Sequence, residues 1–114
     1  MKNELWRLAR KPPHGWPELE DFRWCEEIAP EPAVNQMLTR TIYLSLDPYQ
    51  WGRRRGGTES PGDVCHGRTV SQVVSSRLPG YSEGDFVFNT NGWQQYGLSG
   101  DSIDVFGYMF PRKL

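Results

Sequence analysis

Twelve glycines and nine prolines are scattered along the 114 residues, and their spacing leaves no stretch in which a long helix can run. Proline removes a backbone donor and fixes φ, while glycine loses the most conformational freedom in any regular element. Between these breaks the apolar residues mostly alternate with polar ones, which is the two-residue period of a strand with one buried face. The clearest case runs from Met37 to Asp47. Leu38, Ile42, Leu44 and Leu46 fall on one face, and Thr39, Thr41, Tyr43 and Ser45 on the other. Arg40 interrupts the apolar face near one end, where a long side chain reaches water.

Other strands follow the same logic. Leu5 to Ala9 makes the first, ended by Lys11-Pro12-Pro13-His14-Gly15. Phe22, Trp24 and Glu26 share a face of the next, stopped by Ala29-Pro30-Glu31-Pro32. Thr69 to Ser76 is rich in valine and serine, and Glu83-Gly84-Asp85 sets up Phe86-Val87-Phe88 after the Pro79-Gly80 turn. Asn91-Gly92 reads as a tight connection into Trp93-Gln94-Gln95-Tyr96. A short helical turn is expected only at Asp47-Pro48-Tyr49-Gln50-Trp51, with Asp47 as cap and Pro48 in first position. Many short strands with closely spaced turns describe a mainly β, mostly antiparallel barrel or sandwich in one domain spanning residues 1–114.

Composition excludes several function classes. A hydrophobic share of 37%, an aromatic share of 13% and a mean hydropathy of −0.67 fit neither a disordered nor a membrane-spanning chain. A net charge of −1 and a pI near 6.1 give no general attraction to nucleic acid or to acidic membranes. The local run Arg53-Arg54-Arg55 before Gly56-Gly57 reads as a solvated loop. The opening Met1-Lys2-Asn3-Glu4 carries no apolar signal core, so Cys25 and Cys65 are expected to be reduced thiols of a cytoplasmic protein.

Four segments carry a family resemblance. Leu44-Ser45-Leu46-Asp47-Pro48-Tyr49 resembles the LSxDPY motif of zinc-independent medium-chain dehydrogenases/reductases, the 2-alkenal, prostaglandin and curcumin reductase group. Leu8-Ala9-Arg10-Lys11-Pro12 with Gly15, Pro17 and Asp21-Phe22-Arg23 is similar to the start of that group. Val73-Val74-Ser75-Ser76-Arg77 with Pro79-Gly80 and Gly84-Asp85 is similar to its middle, and Gly92-Trp93-Gln94-Gln95-Tyr96 to its GWxxY segment. Together they run from about Asn3 to about Leu98.

The resemblance implies a GroES-like β-barrel that forms the substrate side of a two-domain enzyme. The enzyme as a whole would use NADPH to reduce the C=C bond of an α,β-unsaturated aldehyde, ketone or quinone. Its partner would be a Rossmann domain, for which this sequence offers no glycine-rich turn between a strand and a helix. The 114 residues alone are therefore expected to bind no cofactor and to be catalytically silent. A stand-alone binding module is the alternative reading, supported by two departures from the family pattern: Gln50-Trp51 after Tyr49, and Gly67-Arg68 before the valine-rich strand.

By the same resemblance Tyr49 lines the substrate cleft, where its phenol orients a carbonyl; a satisfied core tyrosine is the other reading. Asp47 is a second candidate contact, but its capping role beside Pro48 explains it without any catalysis and is the favoured reading. Trp93, with Tyr96 beside it, borders the cleft or belongs to ordinary barrel packing. Cys65-His66 falls where zinc-dependent relatives place a ligand motif, but Gly67 replaces its acidic member and no metal is expected. His14 and His66 both read as loop histidines. An apolar patch at Phe106, Tyr108, Met109 and Phe110 is expected to favour self-association.

Overall fold

The computed structural model describes residues 1–12, 15–103 and 107–114. His14 and Phe106 lie outside the described residues. Among the described residues seven strands and one α-helix follow in the order β1 (Lys2–Leu8), β2 (Phe22–Ile28), β3 (Gln36–Leu44), α1 (Pro48–Arg55), β4 (Thr69–Ser76), β5 (Phe86–Asn89), β6 (Tyr96–Gly100) and β7 (Arg112–Lys113), with a short 3-10 turn at Leu19–Asp21 ahead of β2. The first two pair antiparallel as one sheet; the others form a second sheet in the order β6-β3-β4-β5-β7, also antiparallel. The mainly β antiparallel architecture agrees with the alternating pattern of the sequence.

Continuous ladders exist within each sheet, whereas the link between the sheets is a seam of single bridges. Leu5 bridges Gln94 and Arg7 bridges Val64. Along the seam Cys65 donates to the Trp6 carbonyl at 3.0 Å, and Trp93 donates to the Cys65 carbonyl at 2.8 Å. Residues 64–66 thus lie between β1 and the 92–94 segment.

Two local expectations are corrected. Asn91-Gly92 does not close a hairpin, because β5 pairs with β4 and β7 while β6 pairs with β3. Only Tyr96 of the expected Trp93–Tyr96 strand lies in β6. Nor is Arg53-Arg54-Arg55 a solvated loop: it forms the last turn of α1, and the middle arginine is buried.

The faces of β3 also depart from the simple alternation. Register shifts between Leu38 and Thr39, and between Thr41 and Tyr43, rotate the strand against β4. Thr39 is fully buried, while Leu46, beyond the strand end, is 70% exposed. The interior is graded along its length. Met37, Val73, Leu78 and Val87 make an apolar cluster, with Tyr81 packed on it.

Next to this cluster the buried positions are polar: Thr39, Thr69, Ser71, Asn89, Asn91 and Ser99. Buried polar atoms are tolerable only when hydrogen bonded, and here they bond to one another. Asn89 Nδ2 donates to Thr39 Oγ1 at 3.0 Å and to Ser99 Oγ at 3.1 Å, while its Oδ1 accepts from Thr69 at 2.6 Å and Ser71 at 2.8 Å. Asn91 Nδ2 donates to Thr39, Thr41 and Ser71 at 2.9 to 3.1 Å.

Candidate functional site

Helix α1 begins at Pro48, whose fixed φ suits a first helical position and whose missing N–H is no loss there. Asp47 occupies the cap position through its backbone: its carbonyl accepts from the Gln50 N–H at 3.1 Å. Its carboxylate makes no capping bond and instead accepts from the Ser45 hydroxyl at 2.6 Å. The expected side-chain cap is therefore absent, and exposed Asp47 points its charge along the entering chain.

One residue on, Tyr49 is partly buried, and its hydroxyl lies 3.1 Å from Nε2 of His66. The two rings have centroids 5.9 Å apart and are tilted by 60°. The Arg53 guanidinium sits 5.2 Å from the Tyr49 ring centre, within cation–π range. His66 is 4% exposed. A Cβ on Gly107 would fall 2.5 Å from the imidazole Cε1, so only a glycine, here at φ +71, lets the backbone approach the ring so closely.

His66 forms part of the wall of a cleft of about 320 Å³, with Val64, Thr90, Asn91, Gln94 and Leu98 among its other lining residues. No lysine, arginine, aspartate or glutamate is found among the described lining residues. A wall of amides, hydroxyls and aliphatic groups beside the His66 imidazole, with no carboxylate, lysine or arginine among its described residues, suits an uncharged carbonyl compound or a carboxamide ring. It offers nothing to a pyrophosphate, which requires cations or a helix N-terminus.

Trp93 is turned away from this cleft. Its ring stacks on Phe22, with centroids 5.5 Å apart and planes 16° apart, and the Arg54 guanidinium lies 4.7 Å from its centre. It lines a separate groove of about 400 Å³ with Trp6, Trp24, Leu44 and Leu46. Its neighbours Gly92 and Gln94 border both hollows. Tyr96 lies on β6 opposite Arg40 and lines neither. Tyr108 and Met109 are half-buried, the Tyr108 hydroxyl bonding both Gly100 N and O, so of the expected C-terminal patch only Phe110 is exposed among the described residues.

These positions match a known family. Residues 4–105 match the model of an oxidoreductase N-terminal domain. The chain belongs to that family. It is 45% identical over 113 residues to the NADPH-dependent curcumin reductase of Escherichia coli, an alignment covering 94% of this chain and 32% of the relative. Prostaglandin reductase 1 of Oryctolagus cuniculus is 32% identical over 100 residues, or 87% of this chain and 28% of the relative. The crystal structure of CurA from Vibrio vulnificus in complex with NADPH superposes with a TM-score of 0.76 at 38% identity, covering 84% of this chain and 30% of that one. The chain thus spans about a third of the length of these relatives and falls in the curcumin, alkenal and prostaglandin reductase group.

Within this family domain the departures in sequence have local explanations. Gln50 is buried and donates to the Ser45 carbonyl at 2.9 Å, and the Trp51 indole donates to the Gly15 carbonyl at 2.8 Å. Gly67 lies so close to Leu44 that a Cβ would fall 2.6 Å from its Cδ1. Cys65 is buried, and burial pushes its thiol up to about 12; among the described residues no group of three or more His, Cys, Asp or Glu side chains is placed to hold a metal ion.

His66 is the residue that sequence reasoning underrated. The signal in the sequence is its place at the zinc-dependent ligand motif, which Gly67 interrupts. Glu59, seven residues earlier, meets His66 only at its backbone N–H, at 2.9 Å.

Proposed function

We propose that this chain is the substrate-side domain of an NADPH-dependent reductase of activated C=C bonds, with Tyr49 and His66 as the pair that meets the carbonyl oxygen. NADPH, held by a nucleotide-binding partner domain, supplies the hydride delivered to the β-carbon. The neutral cleft suits the nicotinamide end and an uncharged enal, enone or quinone, and leaves the phosphates to the partner domain.

Hydride addition leaves negative charge on the carbonyl oxygen, and a preorganised donor aimed at that oxygen is the largest help a site can give. With the imidazole proton on Nε2, His66 donates to the phenol oxygen and leaves the Tyr49 O–H to donate to the enolate. His66 lines the cleft and Tyr49 does not, but of the two the half-buried phenol is the more accessible to a substrate oxygen. Neither Asp47 nor Trp93 touches the substrate oxygen in this reading. The 3.1 Å Tyr49–His66 contact beside a neutral cleft carries it.

No helix among the described residues is long and apolar enough to cross a membrane. Cys25 and Cys65 are free thiols, which supports a reducing compartment, the cytoplasm.

The test replaces the matching third of the E. coli curcumin reductase with this chain and follows NADPH oxidation with enals, enones and quinones. Turnover is expected, and Tyr49→Phe lowers kcat by about 10²-fold or more, as for loss of one oxyanion donor. A folded, NADPH-binding hybrid that reduces none of these compounds rejects the reading.

A further inference from the structure

We propose that the buried Arg54–Glu59 ion pair is a positioning device for His66, holding the N–H and C=O of that residue so that its ring meets the Tyr49 hydroxyl. Residue 66 lies outside every strand, so its two buried backbone groups have no ladder to satisfy them. The ion pair supplies both partners. Arg54 donates from its terminal nitrogen to the His66 carbonyl at 2.8 Å, and Glu59 Oε1 accepts from the His66 N–H at 2.9 Å.

The two charges are less well matched to each other than to His66. Arg54 Nε lies 3.4 Å from Oε1 and 3.3 Å from Oε2 of Glu59, and Oε2 makes no hydrogen bond despite being buried. The side chains of Arg54 and Glu59 are only 3% and 0% exposed. A buried ion pair adds little net stability over an apolar replacement, because desolvation of both charges offsets their attraction. Its short bonds point instead to a geometric role.

Helix α1 makes that role specific. Tyr49 near its start reaches the His66 ring, and Arg54 in its last turn reaches the His66 carbonyl. One helix thereby grips one histidine at two points, and Glu59 holds a third. The Arg54 guanidinium also lies 4.7 Å from the centre of the Trp93 ring, within cation–π range. Trp93, absent from the cleft, thus contributes by supporting Arg54.

The inference rests on the proposed function for its chemical meaning but is tested without it. The 114-residue chain is labelled with ¹⁵N, and the His66 imidazole signals are compared in wild type, Tyr49→Phe, Arg54→Met, Arg54→Lys and Glu59→Gln. Hydrogen exchange of the β3, β4 and β5 amides is measured alongside. In Arg54→Met the Nε2 signal is expected to move to its position in Tyr49→Phe while the strand amides stay protected. Arg54→Lys keeps the charge beside Glu59 but loses the fork that reaches both partners, so it moves the same way. Glu59→Gln retains a carbonyl oxygen for the His66 N–H but leaves the buried guanidinium without its counter-charge, so its Nε2 signal is also expected to move. An unmoved Nε2 signal in either folded Arg54 variant overturns the proposal. So does a signal that moves only where strand protection is also lost.

In the curcumin reductase hybrid, Arg54→Lys is expected to lower kcat by about 10²-fold with KM little changed, the cost of a misplaced reacting group. An inactive hybrid would remove the reductase reading and leave the spectroscopic result standing.

Discussion

Replacing Asn89 by alanine probes the polar half of the interior. Its Nδ2 lies within bonding distance of Thr39 Oγ1, Asn91 Oδ1 and Ser99 Oγ, and its Oδ1 accepts from Thr69 and Ser71. Two N–H groups serve three acceptors, so about four full bonds are at stake. Each is worth about 1 kcal/mol net, and partners left unsatisfied in the interior cost more. Part of the loss is recovered locally. Ser71 keeps the Asn91 amide, and Thr69 keeps the Asn89 backbone carbonyl at 3.2 Å.

The expected loss is about 3 kcal/mol, out of roughly 6–17 kcal/mol for a chain of this length. At about 4 °C per kcal/mol this lowers Tm by roughly 12 °C. Urea unfolding followed by tryptophan fluorescence measures it, with an unchanged slope showing that the folded state is otherwise intact. Asn89→Asp is expected to be at least as damaging at neutral pH, since an acceptor-only carboxylate replaces both donors. A loss below about 1 kcal/mol in both variants would refute the claim that this network, and not the apolar cluster alone, stabilises the interior.

Three further outcomes are expected. Thiol reagents should label Cys25 in the native chain and Cys65 only after unfolding, because Cys65 is buried and its thiol is pushed up to about 12; a mass shift of two labels under native conditions contradicts this. Burial pushes the Asp21 carboxyl up, but the Glu18 N–H and the Arg10 guanidinium outweigh it and hold the group below its ordinary 3.8. Its contribution is therefore fully present above that value and lost as pH falls through the lower folded one, so acid titration by circular dichroism should cost wild type more stability than Asp21→Asn. Finally, the 114-residue chain alone should oxidise no NADPH with an enone, and measurable turnover would show that no partner domain is needed.

The strands were legible because their period is a property of the backbone. Thr69–Ser76 reads off the sequence with the bounds it has in the fold, and β1, β2, β3 and β5 need only small adjustments. Pro48 likewise announces α1, although the helix runs on to Arg55 because Arg54 finds buried partners that local sequence does not display. The pairing of β6 with β3, rather than with β5, depends on contacts across sixty residues, and no turn signal at Asn91-Gly92 encodes it.

Tyr49 was recognisable from its motif, whereas its partner was not. Residues 49 and 66 are joined by an imidazole–phenol contact that exists only once α1 folds back on the 64–67 segment. Composition and periodicity by themselves determined a small antiparallel β domain without long helices, because glycine, proline and alternation act through local dihedral preferences. Only the tertiary structure decided which face of β3 is buried, that Arg54 is an interior charge, and that His66 stands at the cleft. Burial and pairing of polar groups depend on what the rest of the chain brings to each side chain, and a polar residue in sequence carries no mark of whether a partner will be there.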